Sequence, residues 1–304
     1  MRRVVITGCT GMIGNAVLQE CLYNQVEVLA IVRPDSRYME RIPKSPFITI
    51  CECGLENLDT YDFTVYGSYW DVFYHFAWTN TSPCSRNNPE TQYVNIRYTL
   101  NAVKVSKILG CKKFVGAGSQ AEYGCQNVNR LMPETPVNPL TAYGVSKYAA
   151  GKLAGLWCSK HEMDCLWCRI FSVYGIYDNE STMISTTINK MLNGERALFT
   201  SGTQMWDYLY SEDAGRAFYL IGQRAIGNKV YCVGNGEARP LRDYIEIIRN
   251  LINPALEIGI GEIAYEGEPV SLCAGIESLK EDTGFMPSIS FEEGIDKCLK
   301  KIGR

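Results

Sequence analysis

Tyr143 and Lys147 are the residues of this chain whose types and spacing best suit acid–base chemistry. On a helix, residues four apart lie on one face, one turn from each other. A free phenol titrates near pH ~10, and a neighbouring ammonium stabilises the phenolate and lowers that pKa. Such a pair can therefore exchange a proton near pH ~7. The spacing alone is weak evidence, because Tyr148 and Lys152 repeat it and such pairs are common on surface helices.

The composition of the 304-residue chain is that of a globular protein with a large core. Hydrophobic residues make up 46% and charged residues 21%, and the formal net charge is −3 without a basic stripe. These values argue against binding to nucleic acid or to a membrane surface. The apolar run after residues 1–3 is too short for a signal peptide, and no run approaches the ~20 residues of a membrane span. We expect a cytoplasmic protein.

Thirteen cysteines and two histidines bear on metal and redox chemistry. The cysteines are odd in number and scattered through apolar segments, which favours reduced, buried thiols. Cys165 and Cys168 have the spacing of a redox or metal pair, but in the predicted strand 164–170 residues three apart point to opposite faces. His75 and His161 have no cluster of ligands nearby in the sequence. We predict no metal site.

A glycine-rich turn lies between a strand and a helix near the start of the chain. The β-branched apolar run 3–7 predicts a buried strand, an amphipathic helix is predicted over 12–23, and a second strand over 26–32. In that position glycines allow a tight turn and a close approach to a pyrophosphate, which free N–H groups at the helix start can bind. The pattern therefore predicts a dinucleotide-binding unit. The predicted cofactor contacts in this turn are Gly8, Thr10, Gly11, Met12, Ile13 and Gly14.

The end of the second strand bears on the choice between NAD and NADP. The acidic residue expected to bind the ribose hydroxyls of NAD is missing, and Arg33 stands at that place. An arginine there suits a 2′-phosphate, and Arg37 is a second candidate contact. We therefore expect NADP, with NAD possible. The alternative is that Arg33 stacks on the adenine or is solvated, while Asp35 binds the ribose hydroxyl.

Strands and helices alternate through the first 170 residues, which predicts an α/β fold with a Rossmann-like, doubly wound parallel sheet. The fifth strand is predicted over 112–116. Phe76 and Ala77 end the fourth strand at the carboxyl edge of the sheet, where ligands bind. Further along, Asp213 is predicted to cap a helix over 214–222.

Several motifs resemble those of the extended short-chain dehydrogenase/reductases, also called the NAD-dependent epimerase/dehydratase family. The matching motifs are the glycine turn after Thr7, Ser119 four residues before the Tyr123-Gly124 pair, and Pro139-x-x-x-Tyr143-x-x-Ser146-Lys147. The resemblance spans nearly the whole chain. It departs from the family pattern where Ser172 replaces asparagine, Ile176 replaces proline and Trp206 replaces arginine.

The resemblance implies hydride transfer at a sugar carbon, assisted by three side chains. Tyr143 would exchange a proton with the sugar oxygen, Lys147 would lower the tyrosine pKa and hold the nicotinamide ribose, and Ser119 would hydrogen-bond the reacting oxygen. The cofactor carries the hydride. Further implied cofactor contacts are Phe76, Ala77 and Phe171, and implied substrate contacts are Ser119, Gln120, Ser172 and Trp206.

The family also implies a smaller C-terminal α/β lobe that binds a nucleotide-sugar, and a homodimer. The implied bounds are 1–175 for the dinucleotide-binding domain, with a returning segment near 211–235, and 176–210 with 236–304 for the substrate lobe. The dimer would form through helices near 89–109 and 140–160.

Three functions stay open within this resemblance. The 4,6-dehydratases of the family place Asp-Glu directly after the catalytic hydroxyl, where this chain has Gln120 and Ala121, and Glu122 should point differently. Dehydration is therefore disfavoured, and Arg33 favours NADPH-dependent reduction of a 4-keto-6-deoxysugar nucleotide. An NAD-dependent nucleotide-sugar 4-epimerase is the alternative. A non-catalytic dinucleotide-binding protein is a third, disfavoured because the tyrosine and the lysine are both present.

Overall fold

The computed structural model describes residues 1–265 and 270–303, so residues 266–269 and 304 of the predicted substrate lobe lie outside the described part. Its strands are β1 (Arg3–Thr7), β2 (Glu27–Val32), β3 (Ile48–Glu52), β4 (Val72–His75), β5 (Lys113–Ser119), β6 (Asp164–Ile170), β7 (Ser172–Tyr174), β8 (Ala197–Phe199), β9 (Met205–Trp206), β10 (Tyr208–Tyr210), β11 (Asn228–Val233), β12 (Arg239–Pro240) and β13 (Ile258–Ile260). Its α-helices are α1 (Met12–Tyr23), α2 (Pro89–Ile108), α3 (Ala142–Lys160), α4 (Met183–Leu192), α5 (Ser211–Arg224), α6 (Leu241–Ile252), α7 (Glu277–Thr283) and α8 (Phe291–Ile302).

A seven-stranded parallel sheet with the order β11-β6-β5-β4-β1-β2-β3 forms the centre of the fold. The order reverses between β1 and β4, whose last residues Thr7 and His75 are paired. In such sheets ligands bind in the crevice outside the carboxyl ends of the strands at the reversal. The Rossmann-like fold predicted from the sequence is confirmed.

Buried side chains cover both faces of the sheet. One face packs against α1 and α5, and the other against α2 and α3. Cys168 belongs to the first core and Cys165 to the second, so these two cysteines lie on opposite faces, as their spacing in a strand predicts. A third core joins α4, α6 and α8 in the C-terminal part of the chain. The domain bounds stated above stay a prediction.

The fifth strand is longer than predicted. Pairing of β5 with β6 continues from Lys113 to Ser119, which stands opposite Ile170. Residues 117–119 are small and carry no strand signal of their own, so their conformation depends on the neighbouring strand. The extension places Ser119 at the carboxyl edge of the sheet.

The predicted role of Asp213 as a helix cap is wrong. Helix α5 already begins at Ser211, so Asp213 lies inside its first turn. Its buried carboxylate accepts hydrogen bonds from the backbone N–H groups of Ser288 and Ile289, at 2.8 and 2.9 Å. The carboxylate therefore fixes the segment before α8 to this helix, a contact 75 residues away in sequence that local pattern does not indicate.

Among the helices of the described residues, none combines the length and the apolar character that crossing a lipid bilayer would need.

Candidate active site

The glycine turn has the geometry of a phosphate-binding loop. Gly8 has φ +78°, and a Cβ there would lie 2.7 Å from the backbone nitrogen of Ala77. A Cβ on Gly14 would lie 2.2 Å from the carbonyl oxygen of Gly8, so both positions require glycine. Helix α1 begins after Gly11 without a side-chain cap and without an acidic residue in its first turn. Its N-terminal N–H groups are therefore suited to bind an anion, and the residues present fit a dinucleotide pyrophosphate.

A cleft of about 640 Å³ joins this turn to the predicted catalytic residues. It runs along the carboxyl edge of the sheet to the C-terminal part of the chain. The predicted site residues that line it are Gly8, Gly11, Met12, Ile13, Gly14, Phe76, Ser119, Gln120, Tyr143, Lys147, Phe171, Ser172 and Trp206. The predicted residues that do not line it are Thr10, Arg33, Arg37 and Ala77.

Tyr143 lies in the first turn of α3. Thr141 caps this helix, because its side chain accepts a hydrogen bond from the N–H of Gly144 at 3.0 Å. Burial raises the pKa of the Tyr143 phenol, while the charge of Arg86 and a side-chain hydrogen bond with Ser119 lower it. The net direction is upward, opposite to the lowering predicted from Lys147. The neutral phenol therefore keeps its proton more tightly than a free tyrosine, and formation of the phenolate depends on its charged neighbours.

Lys147 is almost fully buried one turn further along α3, with 4% of its surface exposed. Its Nζ donates a hydrogen bond to the carbonyl oxygen of Ala117 at 2.7 Å and lies 3.7 Å from the ring centroid of Trp78. The distance from Nζ to the ring centroid of Tyr143 is 5.7 Å. Burial lowers the pKa of Lys147 to about 7, against the opposing effect of the Glu122 charge.

Ser119 ends β5 and begins a short 3₁₀ turn. Its side chain accepts a hydrogen bond from the N–H of Ala121 at 3.2 Å, while its own N–H donates to the carboxylate of Glu122 at 2.9 Å. This reciprocal cap holds the hydroxyl at the cleft wall. Ser119 and Tyr143, which are 24 positions apart in the sequence, are therefore neighbours.

Glu122 points away from the cleft, as predicted. Its carboxylate is fully buried and forms an ion pair with Arg169 at 2.9 Å, and it also accepts from the indole N–H of Trp167 at 2.9 Å. A carboxylate with these partners holds the turn after β5 against β6. Since Gln120, not an acid, lines the cleft at this turn, the local structure gives no support to a dehydratase base.

The second tyrosine–lysine pair and the histidines lie outside the cleft. The Nζ of Lys152 is 5.7 Å from the ring centroid of Tyr148, and the lysine is exposed on α3. His75 is buried at the end of β4, 2.9 Å from the Thr7 hydroxyl, and burial lowers its pKa to about 3. No group of three or more His, Cys, Asp or Glu side chains in the described residues is arranged to hold a metal ion.

The two arginines after β2 are exposed and outside the cleft wall. Arg37 lies against the ring of Tyr38, at 4.8 Å from its centroid. A third arginine, Arg41, donates a hydrogen bond to the carbonyl oxygen of Thr10 at 3.0 Å and so contacts the glycine turn directly. The sequence analysis did not single out Arg41, because nothing in its local pattern distinguishes it from a surface arginine.

Aromatic and small polar side chains line the end of the cleft that contains the predicted substrate contacts Ser172 and Trp206. Trp206 in β9 lies near Tyr208, with ring centroids 6.4 Å apart. Within the described part of the chain, the buried indole nitrogen of Trp206 has no hydrogen-bond partner. Ser172 lines the same end from β7. This wall has aromatic rings suited to stacking at the place where the family pattern has an arginine.

The cleft wall also contains residues that were not predicted from the sequence, among them Trp78, Thr81 and Arg86. They come from the end of β4 and the loop over residues 79–88. Trp78 packs edge-on against Tyr143, with ring centroids 6.0 Å apart. The signal in the sequence was the size of Trp78, because the family resemblance implies a small residue at that place.

Comparison with known proteins finds relatives along most of the chain. A family model described as the NAD dependent epimerase/dehydratase family matches residues 4–234. A protein of Methanocaldococcus jannaschii described as a putative UDP-glucose 4-epimerase is 26% identical over 307 residues, which cover 97% of each of the two chains.

Solved structures agree in fold. The UDP-glucose 4-epimerase of Thermotoga maritima, with UDP-glucose, has a TM-score of 0.86 at 20% identity and is matched over 99% of this chain and 98% of that one. The UDP-glucuronic acid 4-epimerase of Bacillus cereus, in complex with UDP-glucuronic acid and NAD, has a TM-score of 0.85 at 21% identity, with the same coverage. Likeness at these identities shows a shared fold.

Proposed function

The chain belongs to the NAD-dependent epimerase/dehydratase family, and from that premise we propose that it is a nucleotide-sugar 4-epimerase that uses NAD. One observation carries the proposal: Ser119, Tyr143 and Lys147 line the same cleft as the glycine turn. The relatives from M. jannaschii, T. maritima and B. cereus are all described as UDP-sugar 4-epimerases, the first as a putative one. These descriptions favour epimerisation over the 4-ketoreductase expected from Arg33.

The side chains of the cleft have separate tasks in this reaction. Tyr143 accepts the proton of the sugar hydroxyl as the carbon is oxidised, and gives it back to the ketone oxygen as the carbon is reduced. Ser119 hydrogen-bonds the same oxygen and Lys147 contributes positive charge. NAD, when bound, supplies the acceptor for the hydride of the sugar carbon and then returns it.

The first βαβ unit is proposed to bind the cofactor pyrophosphate. The N–H groups of the glycine turn and of the first turn of α1 would bind the pyrophosphate. Phe76 and Phe171 line the same cleft and are further proposed cofactor contacts. The residues proposed to contact the substrate are Ser119, Gln120, Ser172 and Trp206.

The assay that tests the proposal compares the two reactions directly. Purified protein is incubated with UDP-glucose and catalytic NAD, and the UDP-sugars are separated by chromatography. A UDP-galactose product without net NADH formation supports the epimerase. In parallel, the protein is given NADPH and a nucleotide-4-keto-6-deoxysugar. Loss of NADPH absorbance there, with no epimer in the first assay, would replace the epimerase by the reductase.

The reductase stays as a second candidate because of Arg33 and Arg37. Both guanidinium groups are exposed after β2, where a 2′-phosphate would lie. Arg33→Ala is expected to weaken NADPH binding by about tenfold, since a charge-assisted hydrogen bond contributes about 1.5 kcal/mol. NADH affinity should change by less than about twofold. Isothermal titration with both nucleotides measures the ratio, and equal losses would remove the argument for NADP.

We further propose a homodimer through α2 and α3, which pack side by side. The side chains of Tyr93 and Leu156 are 62% and 69% exposed on these two helices. Leu156→Glu is expected to shift the protein from dimer to monomer, because a charge would be desolvated in the interface. Light scattering after size exclusion measures the mass. Tyr23→Glu, on another helix at 86% exposure, is the matched control and should leave the mass unchanged.

A further inference from the structure

The loop over residues 79–88, between β4 and α2, places an arginine against the proposed proton-transfer tyrosine. The guanidinium carbon of Arg86 lies 4.4 Å from the ring centroid of Tyr143. The backbone N–H of Tyr143 donates to the carbonyl oxygen of Arg86 at 2.9 Å. The side chain of Arg86 thus contacts the ring of Tyr143 and its carbonyl group binds the Tyr143 backbone, although no motif assigns a role to Arg86.

The other cation of the cleft is engaged elsewhere. The Nζ of Lys147 is bound to the Ala117 carbonyl and lies over the ring of Trp78, 5.7 Å from the Tyr143 ring centroid. Arg86 is therefore the cation nearer to the phenol ring. Its position makes it the stronger candidate for an electrostatic effect on that ring.

One buried amide holds this arrangement in place. Gln92, fully buried in α2, accepts a hydrogen bond from the indole N–H of Trp78 at 3.0 Å. Its Nε2 donates to the carbonyl oxygens of Asn80 at 2.7 Å and Ser85 at 3.1 Å. The same side chain therefore positions Trp78, which contacts Lys147, and the turn that carries Arg86.

Resting on the proposed function above, we propose that Arg86 is a positioning residue that acts on proton transfer through Tyr143, by favouring the phenolate over the neutral phenol. The groups near the Tyr143 ring are Arg86 from the loop, Lys147 from its own helix and Ser119 from the end of β5. The Glu122 carboxylate lies outside the cleft and acts on the phenol through its charge. Without Arg86, burial and the negative charge of Glu122 both favour the neutral phenol.

The charge of Arg86 lowers the pKa of Tyr143 and burial raises it. Removal of the charge therefore raises the pKa of the phenol. A base that must be ionised to accept a proton then becomes active only at higher pH. The acid limb of the kcat profile consequently moves upward.

The test compares pH profiles of the full-length protein and its Arg86→Gln variant. We expect the acid limb of kcat to move up by about one pH unit, and activity on the acid side to fall about tenfold. Arg86→Lys keeps the positive charge, so its acid limb should lie close to that of the wild type. A merely structural role would lower kcat at every pH without moving the limb, and coincident limbs in the wild type and Arg86→Gln would overturn the proposal.

Arg3→Gln is the matched control. The guanidinium carbon of Arg3 also lies 4.4 Å from a tyrosine ring centroid, that of Tyr69, but outside the cleft. Arg3→Gln therefore removes an arginine–tyrosine contact without changing the cleft. The pH profile of this variant should be the same as that of the wild type.

A titration without substrate separates this proposal from the proposed function. The ultraviolet absorbance of the Tyr143 phenolate is followed against pH as the difference between each protein and the same protein carrying Tyr143→Phe. A higher midpoint in Arg86→Gln supports the role of Arg86 even if the wild type does not epimerise UDP-glucose. An unchanged midpoint overturns it even if the wild type is an active epimerase.

Discussion

Tyr143→Phe is expected to lower kcat by about 10²- to 10⁴-fold, the range that a positioned general acid–base contributes. The phenyl ring keeps the edge-on contact with Trp78, so the cleft should keep its shape. Cofactor affinity should therefore stay within about twofold of the wild-type value. Steady-state kinetics and a nucleotide titration measure the two quantities on the same preparation.

Tyr148→Phe is the matched control for that prediction. Tyr148 lies on the same helix, one residue after Lys147, but it does not line the cleft. Its replacement should leave kcat unchanged. Turnover that survives Tyr143→Phe and is lost in Tyr148→Phe would show that the active pair is the second one.

Glu122→Gln is expected to lower the free energy of unfolding by about 3–5 kcal/mol. The carboxylate is fully buried, its Arg169 partner is 5% exposed, and their ion pair is 2.9 Å long. Loss of the negative charge leaves a guanidinium buried without its counter-ion, which is far costlier than loss of a solvated pair. Urea unfolding followed by circular dichroism measures the change.

Glu277→Gln provides the comparison. Glu277 pairs with Arg130 at 2.8 Å, but these side chains are 50% and 41% exposed. Its replacement should lower the free energy of unfolding by less than about 1 kcal/mol. Similar losses in both variants would mean that the buried pair contributes no more than a surface pair, and that Glu122 does not hold the turn after β5 in the way described.

Local signals account for the parts of the fold and site that could be predicted. Strand β1 and helix α1 agree with their predicted bounds, because β-branched runs, amphipathic period and glycine spacing all act over a few residues. Tyr143 and Lys147 face one cleft because four residues make one helical turn. The role of Ser119 was predicted from the resemblance of the motifs to a known family.

The rest depends on contacts between distant segments. The position of Arg86 depends on the backbone of Tyr143, which lies in a distant helix, and no local pattern reveals that contact. The direction in which the Tyr143 pKa shifts depends on burial, which cannot be read from the spacing of a tyrosine and a lysine. The extra strand residues before Ser119 likewise form only because β6 lies alongside.

The buried imidazole of His75 makes the core, not the cleft, sensitive to mild acid. Its pKa is lowered from 6.5 to about 3 in the folded protein. Between those values the unfolded chain binds a proton that the native state refuses, so acidification progressively favours unfolding. Loss of activity below pH ~6 is therefore expected to accompany a loosened sheet. Circular dichroism over the same pH range measures the fold directly.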